Sequence, residues 1–273
     1  MLGLATPSLT GLPGLDLNFL MTLLLQFFMA SLRIGSFLIA APLFGARWLP
    51  LQVRIVLAIS ITTLVAVQVP PFDPSIITTG PGIMMMLVEV GIGLTSGLIL
   101  TIWFSAVMLA GEKIATSAGL GFAAQVDPQT GGQTPVVSQT LYLFLTVLFL
   151  SMDGHLVAIA TMMESYRILP IGGVLAPSVL INAGISAAGT MFVAATVIML
   201  PIAMVLLMIN VAIGIITKSA PQLNLFSFGF PISLLAVFFL LYLSTGSLGD
   251  SFVQLIDDAL ANLQSMITEM PGG

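Results

Sequence analysis

Cysteine is absent from the 273 residues, so disulfide frameworks, thiolate metal sites and cysteine nucleophiles are excluded, and the redox compartment is left unread. The single histidine, His155, has no second histidine three or four residues away to complete a ligand set, and no metal site is expected. Charge is equally scarce. Only 6% of residues are Asp, Glu, Lys or Arg, where a soluble domain carries about 25%. A water-soluble surface cannot be assembled from so few. The six Lys and Arg are scattered and the net charge is −5, which leaves no basic stripe for nucleic acid. No Gly-x-Ser-x-Gly elbow occurs, and Gly249-Asp250 lacks the Tyr-Asp pair that aspartyl intramembrane proteases use. Neither a catalytic residue nor a cofactor is expected. Met1 to Asp16 holds no Lys or Arg ahead of the first apolar run, so it lacks the positive region of a cleaved signal peptide and the first helix is expected to be retained.

What is present is apolar: 58% of the chain is hydrophobic. Apolar stretches lying between Pro, Gly and charge punctuation predict helices near Leu17 to Ala41, Leu51 to Val69, Ile83 to Ala110, Val136 to Met163, Met191 to Ile216 and Phe230 to Ser244. The expected fold is an all-α membrane protein of about six hydrophobic helices arranged as hairpins. The fourth run contains Asp153, Gly154 and His155 and is read as one element. If all six cross a bilayer, Arg47, Arg54, Lys113 and Lys218 collect on one side against Arg167 on the other, which places both termini outside. The tail, residues 248–270, differs in kind. Phe252, Leu255, Ile256, Ala259, Leu260, Leu263, Met266 and Ile267 recur at helical spacing with Asp257, Asp258, Asn262 and Gln264 between them. Such a helix with an acidic face either covers its own protein or docks a partner.

Three ionisable residues, Arg33, Glu89 and Asp153, lie inside apolar runs, where each costs about 2.5 to 3.5 kcal/mol and therefore needs a partner or water. An Arg33–Glu89 ion pair, contacts with neighbouring subunits and a role in moving ions are the open readings. Gly93 and Gly97 form a GxxxG pair on the third helix with Gly91 beside them, and Gly184, Ala188 and Gly189 offer a similar small face before the fifth. Met84, Met85 and Met86 suit core filling or closure around an irregular surface.

Two irregular segments interrupt the pattern. In the first, from Gly111 to Gln133, Gly119, Gly121, Gly131, Gly132 and Pro128 forbid a continuous helix. It is weakly charged, with Gln125 and Asp127 as its polar points, and carries the bulky Phe122. Non-helical backbone at membrane depth must be received by protein or a watery cavity, so a pore-occluding loop and an ordinary surface loop both remain open. The second runs from Lys218 to Ile232. Pro221 and Pro231 bracket Asn224, Phe228 and Gly229, and a buried hairpin corner explains it.

With Arg33-Ile34-Gly35, the Ala41-Pro42-Leu43-Phe44-Gly45 to Pro50 turn followed by Arg54, Asp153-Gly154-His155, and Glu164 through Pro170, these segments make the chain resemble the FliR family and its type III secretion relatives. The resemblance runs from about Leu17 to Ser244 and leaves Met1 to Asp16 and the acidic tail outside. It implies a non-enzymatic export-gate subunit of the flagellar basal body in the bacterial inner membrane. Such a subunit assembles with P-type and Q-type subunits into a cone of helical hairpins around a closed channel for unfolded export substrates, beside the B-type and A-type membrane proteins of the apparatus. It also implies a P-type-like half, 17–163, joined to a Q-type-like half, 191–244. Gly119 to Gly132 then plugs the channel, with Phe122 as its apolar element, and the helices can sit above the bilayer plane, buried by neighbours. The rival reading is a small-molecule secondary transporter with its site at broken helices, although no matching pair of interruptions appears in two repeats.

Overall fold

A computed structural model describes residues 17–46, 48–67, 79–119, 136–220 and 229–270, and every regular element among them is helical. In chain order they are α1 (Leu17–Ala40), α2 (Leu51–Ala66), α3 (Gly80–Ser117), α4 (Val136–Ser151), α5 (Gly154–Ile168), α6 (Pro177–Ser219), α7 (Phe230–Leu243) and α8 (Thr245–Glu269). The all-α expectation therefore holds, while several boundaries move.

α3 is the axis of the fold. It runs parallel to α1: Gly93 meets the Arg33 carbonyl and Ser36, Gly97 meets Phe37 and Ala40, and the Thr101 hydroxyl donates to the Ala40 carbonyl at 2.6 Å. α2 makes the return between them. Its entry is tied by the Arg54 guanidinium donating to the Ala46 carbonyl. α4 packs antiparallel, with Gly111 against Ser138 and the Phe104 ring edge-on to Tyr142 and Phe149, centroids 6.0 and 5.2 Å away. α6 is parallel to α3 again, from Gly91 beside Leu180 to the Asn210 amide donating to the Ser117 carbonyl at 2.8 Å.

The run read as one fourth helix is two. α4 and α5 meet at 65°, and Asp153 at the break has φ 56°, a left-handed value that L-residues adopt at a cost. The adjoining Gly154 is packed so closely that a Cβ there would lie 2.6 Å from the Phe149 ring. Conversely, the fifth predicted helix begins far earlier than Met191, at Pro177, whose missing N–H suits a first helical turn. Gly184 and Gly189 lie within it, and an added Cβ at either would meet nothing within 4 Å. The close contact expected there is not made among the described residues. α3 also extends past its predicted ends at Ile83 and Ala110.

The amphipathic tail is α8, set at 65° to α7. Phe252, Leu255, Ile256, Ala259, Leu263, Met266 and Ile267 are all buried in the main core, so this helix covers its own protein. Burying each large apolar side chain contributes about 1.5 to 3 kcal/mol, which makes α8 part of the fold.

By length and composition three helices can cross a membrane, Leu20–Ala40, Gly80–Ser117 and Pro177–Ser219, or up to five if each bent pair is one span. α2, with 16 residues, rises only about 24 Å against a hydrocarbon core of about 30 Å. Among the described residues three to five helices thus meet the requirements for a crossing, against the six on which the placing of both termini outside rests.

Candidate functional site

The most constrained polar arrangement begins with one helix face. On α3, Glu89, Gly93 and Gly97 recur every fourth residue and point at α1. The glycines let the two backbones approach until a Cβ at Gly97 would lie 2.6 Å from Ala40 and 2.8 Å from the Phe37 carbonyl, and one at Gly93 would strike the Arg33 carbonyl. This closeness delivers Arg33 to Glu89. Its Nε donates to Oε2 at 2.7 Å and its Nη2 to Oε1 at 3.0 Å, with the two side chains 0% and 1% exposed. A bidentate fork of this kind is the strongest neutralisation a buried guanidinium can find.

α5 closes the cluster. Nη1 of Arg33 donates to the Ser165 hydroxyl at 3.0 Å and Nη2 to the Leu169 carbonyl at 3.1 Å, just past the end of α5. The Tyr166 ring lies 4.2 Å from the guanidinium carbon, and its hydroxyl donates to the Ala30 carbonyl at 2.6 Å. The cation thus has a carboxylate, a hydroxyl, a carbonyl and an aromatic face, each from a different direction. With both charges walled off from solvent, the cluster fits a staple joining α1, α3 and α5 better than a path for ions.

Asp153 is not part of it. The residue sits exposed at the α4–α5 break, and its carbonyl accepts the Leu156 and Val157 amides that start α5. Gly119, with φ 83°, ends the described part of the first irregular segment in a left-handed conformation beyond α3. Gly121, Phe122, Gln125, Asp127, Pro128, Gly131 and Gly132 lie outside the described residues, as do Pro221, Asn224 and Phe228 of the hairpin corner. Gly229 and Pro231 stand at the start of α7.

Sequence reading did not single out Ser165, Tyr166 and Leu169 as partners of Arg33, nor Asn210. The Asn210 amide holds the end of α3, and its Oδ1 accepts the Ser233 hydroxyl at 3.2 Å, which ties α7 to α6. An asparagine in the C-terminal part of the most apolar long helix was the signal available for it.

Comparison with known proteins follows the same pattern. The profile described as Bacterial export proteins, family 1, matches residues 24–259, so the match continues beyond Ser244 into α8 instead of stopping before the acidic tail. The chain is 37% identical over 209 residues to the flagellar biosynthetic protein FliR of Pectobacterium carotovorum, covering 77% of this chain and 80% of that one. Against the FliR of Escherichia coli K12 it is 32% identical, with 76% and 79% covered. Against that of Aquifex aeolicus it is 31% identical, with 83% and 86% covered. A buried charge staple on a multi-pass helical scaffold and these matches across most of its length lead to one conclusion: the chain belongs to family 1 of the bacterial export proteins, the FliR family.

Proposed function

We propose that this chain is the R-type core subunit of a flagellar protein-export gate in the bacterial inner membrane. Family membership makes it a flagellar biosynthetic export protein and a component of the export apparatus. The finer reading has it assemble with P-type and Q-type subunits around a closed channel for unfolded flagellar proteins, next to the B-type and A-type proteins. Residues 17–163 and 191–244 act as the P-type-like and Q-type-like halves, and 119–132 is the plug.

The observation that carries this reading is the outer face of α6. Large apolar side chains stand exposed along it from Ile181 to Ile216, including Phe192, Val197, Met204 and Val211. That stretch is about 54 Å long, against about 30 Å of hydrocarbon. Fitting it into lipid alone requires a tilt of about 56°, beyond the 0–40° that membrane helices show. Protein neighbours must cover the remainder, as gate subunits do.

The test is the native mass of the complex isolated from membranes through a tag on this chain. A mixed assembly containing two further small membrane subunits is expected. A monomer or homodimer overturns the gate reading and restores the transporter.

A further inference from the structure

Asn210 stands on α6 among exposed apolar neighbours, Met208 and Val211, and the helix runs on past it to Ser219. A primary amide in such company is disfavoured unless both of its ends are used. Both are. Its Nδ2 donates to the Ser117 carbonyl at 2.8 Å, and its Oδ1 accepts the Ser233 hydroxyl at 3.2 Å.

Each partner departs from ordinary helix geometry. Ser117 is the last residue of α3, where carbonyls run out of intrahelical donors. The Ile114 and Thr116 carbonyls are met by the Ala118 and Gly119 amides as the chain turns out of the helix, whereas that of Ser117 is met from α6. Ser233 lies in the first turn of α7, is buried, and is the only polar side chain of that helix apart from Tyr242. Ser36, Ser60, Ser96 and Ser105 return their hydroxyl hydrogens to the carbonyl four residues back, the usual habit of a helical serine. Ser233 gives its hydrogen to another helix instead. Beyond this tie α7 is thinly covered, with Leu235, Phe238 and Phe239 exposed. One side chain on α6 thus fixes both the level at which α3 stops and the level at which α7 starts.

We propose that Asn210 is a positioning residue of the closed gate. The inference rests on the reading of 119–132 as the plug, since Gly119 follows the held carbonyl by two residues. While Ser117 is tied to α6, and through Asn210 to α7, the base from which that stretch of chain departs keeps one position. With the tie gone, the last turn of α3 is free to fray and the closed arrangement is populated less. A single interhelical hydrogen bond is weak enough to break and re-form, which suits a gate that yields to a passing chain.

The test uses the export complex isolated from membranes through a tag on this chain, with resting conductance in planar bilayers as the readout. Asn210→Leu removes both hydrogen bonds, keeps the side-chain size and suits the apolar helix, so subunit composition on a native gel should stay the same. Conductance should rise about three- to eighteenfold, the population shift that one interhelical hydrogen bond sets. Ser233→Ala breaks one tie of the two and should raise it less, and the double variant should leak no more than Asn210→Leu alone. Unchanged conductance in Asn210→Leu, alongside a leak on deleting Gly121 to Gly131, overturns this inference and leaves the plug standing. No leak from either removes the plug and this inference with it. A double variant leakier than Asn210→Leu overturns the shared tie, and loss of a subunit from Asn210→Leu complexes overturns the proposal by assigning the residue to assembly.

Discussion

At the scale of single residues, Arg33 is where a small change has the largest expected effect. Replacing either Arg33 or Glu89 by Leu leaves the other charge buried and unpaired, which can cost about 3 to 5 kcal/mol, whereas removing both strands only the Leu169 carbonyl and should cost less. Assembled complex recovered from membranes should therefore fall for each single variant and return in part for Arg33→Leu with Glu89→Leu. A double variant no better than the worse single one rejects the coupling. Glycines divide in the same way. Gly97→Val drives side-chain atoms into the backbone of α1 and should cost about 1 to 3 kcal/mol, while Gly35→Ala, with nothing within 4 Å of the added Cβ, should be tolerated. Limited proteolysis in isolated membranes compares the two.

The pairing of Arg33 with Glu89 was legible because a charge in an apolar run has few options. Ser165 and Leu169 were not, since they lie 132 and 136 residues from Arg33 and carry no charge of their own.

At the scale of elements, periodicity reported burial well and continuity poorly. The α8 stripe was readable at every position read but Leu260, which is only partly buried, because the apolar positions land on one face. The break at Asp153 and the unbroken run through Gly184 and Gly189 were misread in opposite directions. At the first, packing outweighs the local signal, because the Phe149 ring and the left-handed Asp153 hold α4 and α5 apart; at the second, a long apolar helix simply tolerates two glycines. Ending the chain after Ser244 removes α8 and uncovers apolar surface on α3 and α5, so the truncated chain should be degraded, as a pulse-chase measurement will read. The plug assigned to Gly119 to Gly132 makes a different demand. A closed gate must exclude ions yet yield to a passing chain, which suits a glycine-rich, weakly charged loop. Deleting Gly121 to Gly131 spares the helix faces, so subunit composition on a native gel should stay intact while resting conductance in planar bilayers rises. An assembled complex with unchanged leak returns the segment to an ordinary connection.

At the scale of the whole molecule, the exposed apolar stripe of α6 describes a protein whose surface is unfinished. Lipid covers only part of such a helix. Expressed without its partners, the chain should aggregate or be degraded, and size-exclusion chromatography in mild detergent checks this. A monodisperse, thermally stable monomer would count against both the partner requirement and the gate.

The staple also sets an order in time. Glu89 follows Arg33 by 56 residues and the Leu169 carbonyl follows it by 136. At 5 to 20 residues per second, Arg33 emerges from the ribosome about 3 to 11 s before its carboxylate and about 7 to 27 s before its last acceptor. For that interval the guanidinium stands in an apolar helix without the carboxylate it ends beside, so releasing α1 alone into lipid costs about 2.5 to 3.5 kcal/mol. That cost favours holding α1 beside the insertion machinery or in contact with water until α3 arrives.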